Sequence, residues 1–132
     1  MLAWNDAACA LFTNFGRTLE ADRNILVYVP TDPDARRMFG AAWAGQAARM
    51  VARFRGTHDL WAGDPAFTSL VRDLRKRSPE FAGWWDAHAV GSGAGTGEKV
   101  LVHPDDGPLR YEYATFQVND DPALRLTIYT PI

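Results

Sequence analysis

Apolar positions recur at helical spacing through the first two thirds of the chain. Asn5 is a suitable N-cap for a short first helix, which is expected to end at Gly16. A helix that starts near residue 33 continues as an apolar stripe to Phe54, with a break predicted near Gly40. Residues 24–30 form a short apolar run that fits either a strand or a buried helix. Three helix starts carry a capping side chain followed by proline, namely Asp32-Pro33, Asp64-Pro65 and Ser78-Pro79.

The hydrophobic period changes to two after a glycine-rich stretch over residues 91–97, which predicts strands. Residues 98–103 and 109–118 are joined by Pro-Asp-Asp-Gly-Pro, a hairpin turn with proline early and glycine late. Residues 124–129 alternate in the same way and form a last strand. Three consecutive strands with short turns predict an antiparallel sheet, one face of which the helices cover. The expected fold class is therefore α+β, with helices packed on one face of an antiparallel sheet.

Length and composition predict one globular domain over residues 1–132. The chain is 47% hydrophobic and 23% charged, and its net charge of −2 gives no overall basic excess of the kind typical of nucleic-acid binding. No apolar run is long enough to span a bilayer, and no signal segment opens the chain. We therefore expect a soluble, cytoplasmic domain with no membrane partner.

The residue types that usually carry catalysis or bind metals form no recognisable constellation. His58, His88 and His103 lack the spacing of a metal-binding helix. The single cysteine, Cys9, excludes a multi-cysteine zinc site and an intramolecular disulfide, and a buried, unreactive thiol is expected. Residues 91–97 precede a strand and lack the Gly-Lys-Ser/Thr of a phosphate loop, so a flexible linker is expected. The prediction is no enzyme, no metal and no cofactor.

Large side chains on the helices indicate a cavity for an apolar ligand. An aromatic stripe at helical spacing is usually core, but bulky residues on both inner layers leave a cavity where they cannot interdigitate. On the sheet, Tyr111 and Tyr113 are candidates on one face and Phe116 on the other, because side chains alternate along a strand. The candidate residues on the helices are Trp43, Met50, Phe54, Phe81, Trp84 and Trp85.

A ligand with a carboxylate head group would need a hydrogen-bond donor. The candidates are Arg23, His88 and His103, and His88 continues the face of Phe81 and Trp85. Each also has a purely structural interpretation. His88 fits a helix-end histidine, His103 a residue that braces the hairpin, and Arg23 a residue that flanks a helix start.

Several short stretches follow one another in a characteristic order over nearly the whole chain. They are Leu2-Ala3-Trp4-Asn5-Asp6-Ala7-Ala8, Asp32-Pro33 with Arg36, Ser78-Pro79-Glu80-Phe81, Trp85 with His88 and Val90, Lys99 with His103-Pro104, Gly107-Pro108-Leu109, Tyr113, and Leu126 to Tyr129-Thr130-Pro131. Together they resemble the C-terminal ligand-binding domain of MmyB-like transcription regulators. Each stretch alone is weak, and their joint order and spacing carry the resemblance.

The resemblance implies a PAS-like sensor domain with a pocket between helices and sheet and a long-chain fatty acid as the type of ligand. In that family the domain follows an N-terminal helix-turn-helix domain, so DNA is a partner only through that domain. Since the chain begins one residue before Leu2, we expect that this domain and the first strand of the sheet are absent. An open sheet edge would then favour a homodimer.

The resemblance favours a non-enzymatic sensor whose ligand shifts the balance between two arrangements of the domain. Two alternatives from other classes stay open. In the first, the aromatic residues form a protein-interaction or dimer interface and no small molecule binds. In the second, a small enzyme uses His88 or His103 as a base, which requires a carboxylate or tyrosine within hydrogen-bond reach.

Overall fold

The computed structural model describes residues 3–57, 62–89, 91, 95–121 and 124–132. The chain divides into two compact units, residues 1–92 and residues 93–132. The described elements of the first unit are helical, whereas those of the second form an antiparallel sheet. This content confirms the predicted α+β class.

The helical unit follows the predicted start signals closely. The Asp32 and Asp64 carboxylates each accept a backbone N–H two residues on, at 2.8 Å, and the Ser78 hydroxyl accepts the Phe81 N–H at 3.0 Å. Each of these caps is followed by proline at the first helical position, where a missing N–H has no cost. The helices are α1 (Asp6–Leu11), α2 (Ile25–Thr31), α3 (Pro33–Phe39), α4 (Trp43–Gly56), α5 (Pro65–Arg77) and α6 (Pro79–Asp86).

The sequence pattern does not correctly determine the secondary structure of two segments near the start of the chain. The apolar run over residues 24–30 is helical from residue 25 and is capped by the Asn24 side chain, which accepts the Leu26 N–H at 2.9 Å. Five consecutive residues of α2 are buried, so no polar face marks it as a helix in the sequence. The expected end of α1 at Gly16 is wrong. The helix ends at Leu11, and the Asn14 side chain, which accepts the Gly16 N–H, starts a separate 3-10 turn.

The core of the helical unit lies where α2, α4, α5 and α6 meet. Leu74 and Phe81 are fully buried there, and half-buried side chains such as Met50 and Phe54 pack against them. The predicted break between α3 and α4 is confirmed, because Gly40 adopts a φ of 55° and begins a 3-10 turn. The buried members of this core are Leu26, Val27, Val51, Leu74, Phe81 and Trp85.

The sheet consists of β1 (Thr96–His103), β2 (Gly107–Gln117) and β3 (Arg125–Pro131), in that order and antiparallel throughout. The hairpin turn uses Gly107 at a φ of 74°, as its position in the motif predicts. The linker expected over residues 91–97 is partly wrong, since Thr96 and Gly97 belong to β1. Residues 92–94 of that stretch lie outside the described residues.

Pairing gives the sheet an odd-numbered face and an even-numbered face. Gly97, Tyr113 and Tyr129 lie side by side on the odd-numbered face, and Phe116 and Leu126 do so on the even-numbered face. A Cβ added at Gly97 would lie 2.9 Å from a Tyr113 ring carbon, so the tyrosine ring occupies the space that a side chain would fill. Glycine at this strand position is thereby explained by packing.

Candidate functional site

Four aromatic rings run through the helical unit as a continuous ladder from α4 to α6. Phe54 stacks on Phe67 with ring centroids 4.7 Å apart, and Phe81 stacks on Trp85 at 5.9 Å. Phe67 and Trp85 connect the two stacks at 6.5 Å. Phe81 has no exposed surface, whereas Phe67 is half-buried. The ladder therefore reaches from the core to the surface of the unit.

A groove lies at the surface end of this ladder, between α5 and α6. Its volume is about 440 Å³, within the range of roughly 300–1,000 Å³ usual for small-molecule sites. Two rows of side chains on α5 border the groove, and within each row the residues are four positions apart. One row contains Phe67 and Val71, and the other contains Thr68 followed by the cationic Arg72 and Lys76. The lining residues are Phe67, Thr68, Val71, Arg72, Arg75, Lys76 and Trp85.

The three cationic side chains that line this groove differ in their ion-pair and hydrogen-bond partners. Arg75 makes a two-pronged ion pair with Asp86, with N–O distances of 2.5 and 3.1 Å. Arg72 has only a 3.4 Å hydrogen bond to the Ser69 hydroxyl, and Lys76 has no ion-pair partner among the residues described. Arg72 and Lys76 are four residues apart on one helix face, where like charges repel each other. An anion between them would relieve that repulsion.

The other candidates on the helices have partners within the helical unit. The Trp43 indole N–H donates to the Val29 carbonyl at 2.8 Å, and the Arg36 guanidinium lies 4.2 Å from its ring centroid. Trp84 packs against Trp43 with centroids 5.4 Å apart, and Met50 lies half-buried beside the core. Of the six candidates on the helices, Trp85 lines the groove, and Phe54 and Phe81 lie directly behind its aromatic residues.

His88 does not continue the buried face of α6, which corrects the sequence expectation. The helix ends at Asp86, and His88 follows it in an exposed left-handed conformation with a φ of 54°. Its Nδ1 accepts a hydrogen bond from Arg55. The same guanidinium donates to the Trp85 carbonyl at 2.8 Å and lies 4.3 Å from the Trp85 ring centroid. The helix-end interpretation of His88 describes this geometry.

The remaining polar candidates brace local turns. Arg23 donates to the Thr18 carbonyl at 3.2 Å and to the Gly16 carbonyl at 3.4 Å. The His103 Nδ1 accepts N–H groups of Asp105 and Asp106 at 3.2 and 3.3 Å, within the hairpin turn. These contacts match the structural interpretations given for both residues. His58 lies outside the described residues.

The sheet tyrosines lie on the odd-numbered face, as expected. The Lys99 ammonium is 4.6 Å from the Tyr113 ring centroid and 5.5 Å from that of Tyr129. Tyr111 is half-buried on the same face. Phe116 lies on the opposite face and is 54% exposed, so the prediction that it cannot share a wall with the tyrosines is confirmed.

The described residues contain neither a cluster of candidate metal ligands nor a helix that could span a membrane. Within the described ranges, no group of three His, Cys, Asp or Glu side chains is placed to hold a metal ion. In the same ranges no helix is long and apolar enough to cross a membrane. Cys9 is a free thiol that is partly exposed rather than fully buried.

Most of the residues that line the groove could not be predicted from the sequence. In the sequence, Phe67 and Val71 fit the apolar face of α5, and the basic residues near its C-terminal end are explained by their favourable interaction with the helix dipole. The available signal was an apolar row at 67 and 71 beside a cationic row at 72 and 76. What the sequence could not supply is the position of Trp85, which closes the groove from a different helix.

Comparison with known proteins gives one family. The family model for the MmyB-like transcription regulator ligand binding domain matches residues 1–132. A comparison with curated proteins finds no match.

Proposed function

The chain belongs to the family of MmyB-like transcription regulator ligand binding domains, and from this premise we propose that it senses an anionic acyl-chain ligand of the fatty-acid type. The family makes it a regulatory, ligand-sensing domain of a transcription regulator. The observation that carries the choice of ligand is the groove between α5 and α6, which combines aromatic residues with two cationic side chains, Arg72 and Lys76, that form no ion pair within the described part of the chain.

The chemistry of the groove matches the two ends of such a ligand. Phe67, Val71 and Trp85 offer apolar surface for an acyl chain, which gains free energy as it leaves water. Arg72 and Lys76 offer hydrogen-bond donors to a carboxylate, and charge-assisted hydrogen bonds are stronger than neutral ones. Arg75 is already neutralised by Asp86, so it is proposed to shape the groove rather than to hold the head group.

The proposed mechanism is regulatory and involves no chemical step. A ligand that binds one arrangement of the domain more tightly than another shifts the population toward the first. We propose a PAS-like fold and a helix-turn-helix domain as the DNA-binding partner of this sensor. Because such domains read two-fold operators as dimers, a homodimer is also part of the proposal.

The test is a titration of the purified chain with saturated fatty acids of increasing length and with the fatty alcohols of the same lengths. Tryptophan fluorescence is a direct readout, since Trp85 lines the groove. We expect the acid to bind more tightly than its alcohol. The variant Lys76→Gln should weaken acid binding roughly twofold to fivefold, which is the scale of a solvent-exposed charge pair, and leave alcohol binding unchanged.

Arg17→Gln is the matched control, because Arg17 is an exposed cation at the end of a 3-10 turn of the same unit, away from the groove-lining residues. It should bind the acids as the wild type does. Equal affinity for acid and alcohol, or equal loss in both variants, would contradict the proposed head-group site. Absence of binding for every acid and alcohol would contradict the ligand class.

A further inference from the structure

The exposed apolar residues of the chain are concentrated on one surface. Nine large hydrophobic side chains are conspicuously exposed among the described residues, and eight of them lie on or beside the even-numbered face of the sheet. The ninth, Leu19, lies in the helical unit. The eight are Val100, Val102, Phe116, Val118, Leu124, Leu126, Ile128 and Ile132, with exposed fractions from 38% to 61%.

Pairing arranges five of these side chains as a contiguous patch at one end of the sheet. Phe116 is opposite Leu126, and Ala114 is opposite Ile128. The Val118 N–H donates to the Leu124 carbonyl at 3.1 Å, so these two residues continue the pairing of β2 with β3 by one more pair on the same face. The small Ala114 side chain lies in a hollow of about 520 Å³ that Phe116 and Ile128 border. The patch thus presents projecting side chains beside a depression.

The strand that borders this patch is also a poorly protected sheet edge. In the sheet order β3 is an outer strand. Arg125 and Pro131 are at its two ends, and the five residues between them carry no charge and include no glycine or proline. The other outer strand, β1, carries Gly97, Glu98 and Lys99 along its length. Charges, glycine and proline are the usual means by which an edge avoids pairing with another chain.

We propose that the even-numbered face of the sheet is the interface through which two copies of this chain associate. Eight half-exposed side chains present several hundred Å² of apolar surface, a substantial part of the roughly 800 Å² per partner that a standard interface buries. Two copies related by a two-fold axis would place the projecting Phe116 and Leu126 of each against the hollow at Ala114 of the other. A two-fold interface requires this kind of self-complementarity.

The charges on this face favour a second copy over an anionic partner. Glu98 and Arg110 form an ion pair at 3.0 Å, and Glu112 lies next to Glu98, so the face carries a net negative charge. These side chains border the patch formed by Phe116, Ile128 and their neighbours, as polar residues border an interface core. A nucleic acid or an anionic membrane would be repelled by the two glutamates.

The test is sedimentation equilibrium of the purified chain over a range of concentrations. We expect a monomer–dimer equilibrium for the wild type, and a dissociation constant weakened about 100-fold or more in Leu126→Glu, because the two-fold axis buries the new charge twice. The control is Arg125→Glu, which adds a carboxylate to the neighbouring position on the opposite face of the same strand. It should leave the dissociation constant within about threefold of the wild type.

Far-UV circular dichroism establishes that each variant is folded, and Phe116→Ser replaces Leu126→Glu if that variant is not. A wild type that stays monomeric at every concentration would overturn the proposal, as would a dimer that Leu126→Glu and Phe116→Ser leave intact. Native mass spectrometry of the same samples gives a third outcome. A monomer that carries a lipid, lost in Leu126→Glu, would overturn the dimer interface and assign this face to a ligand.

Discussion

Replacing Phe81 by alanine tests whether this side chain packs in the core of the helical unit or lines a cavity for a ligand. Phe81 has no exposed surface and stacks on Trp85 with an interplanar angle of 12°. Loss of its burial costs about 2 kcal/mol at 25 cal/mol per Å². The cavity left behind and the lost ring contact add about another 2 kcal/mol. We therefore expect the variant to lose about 4 kcal/mol, out of a typical total of roughly 5–15 kcal/mol.

Urea unfolding followed by tryptophan fluorescence measures this loss in the helical unit alone, because all five tryptophans precede residue 93. The control is Leu19→Ala, since Leu19 is 76% exposed in the same unit and should cost less than about 0.5 kcal/mol. A loss below about 1 kcal/mol for Phe81→Ala would refute the packing argument. It would indicate free space beside Phe81, as the hypothesis of an internal ligand cavity expects.

Two further predictions concern backbone conformation and pH. Gly83→Ala should stabilise the chain by about 0.5–1 kcal/mol, because Gly83 lies inside α6 with open space where a Cβ would be. Gly107→Ala should destabilise the chain, because Gly107 has a φ of 74°, which alanine adopts only with strain. Thermal melts of the two variants should shift in opposite directions, and a shift of the same sign would contradict this. Burial of the phenol, and to a smaller extent the negative charge of Asp32, raises the pKa of Tyr28 from 10.0 to about 12. The unfolded chain therefore loses the tyrosine proton at a lower pH than the folded chain does. The contribution of Tyr28 to the free energy of unfolding should be intact below pH 10 and decrease between pH 10 and about 12. In Tyr28→Phe, the urea midpoint should decrease less over this pH range than in the wild type.

Features set by local chemistry could be predicted from the sequence. The caps at Asp32, Asp64 and Ser78 involve residues two or three positions apart, so sequence spacing contains the whole interaction. The antiparallel hairpin between β1 and β2 follows from alternation and from the turn at Gly107. The opposite faces of Tyr113 and Phe116 follow from the same alternation.

Features set by tertiary packing could not be predicted in the same way. Phe15 lies outside α1 because it packs edge-to-face between Trp4 and Tyr28, with both centroid distances at 5.8 Å. The groove depends on Trp85 from α6 closing against two rows of α5, and no spacing within one helix contains that contact. His88 shows the limit of periodicity, which stops being informative where the helix ends.

The most direct test of the central claim, that this domain binds an anionic acyl-chain ligand, is native mass spectrometry of the purified chain followed by organic extraction. We predict an added mass of one ligand per chain, identified after extraction as an acyl-chain carboxylate. The Lys76→Gln protein should retain less of it than the Arg17→Gln protein. A bare protein mass that stays bare after incubation with fatty acids, or an extracted ligand without an acyl chain, would contradict the account.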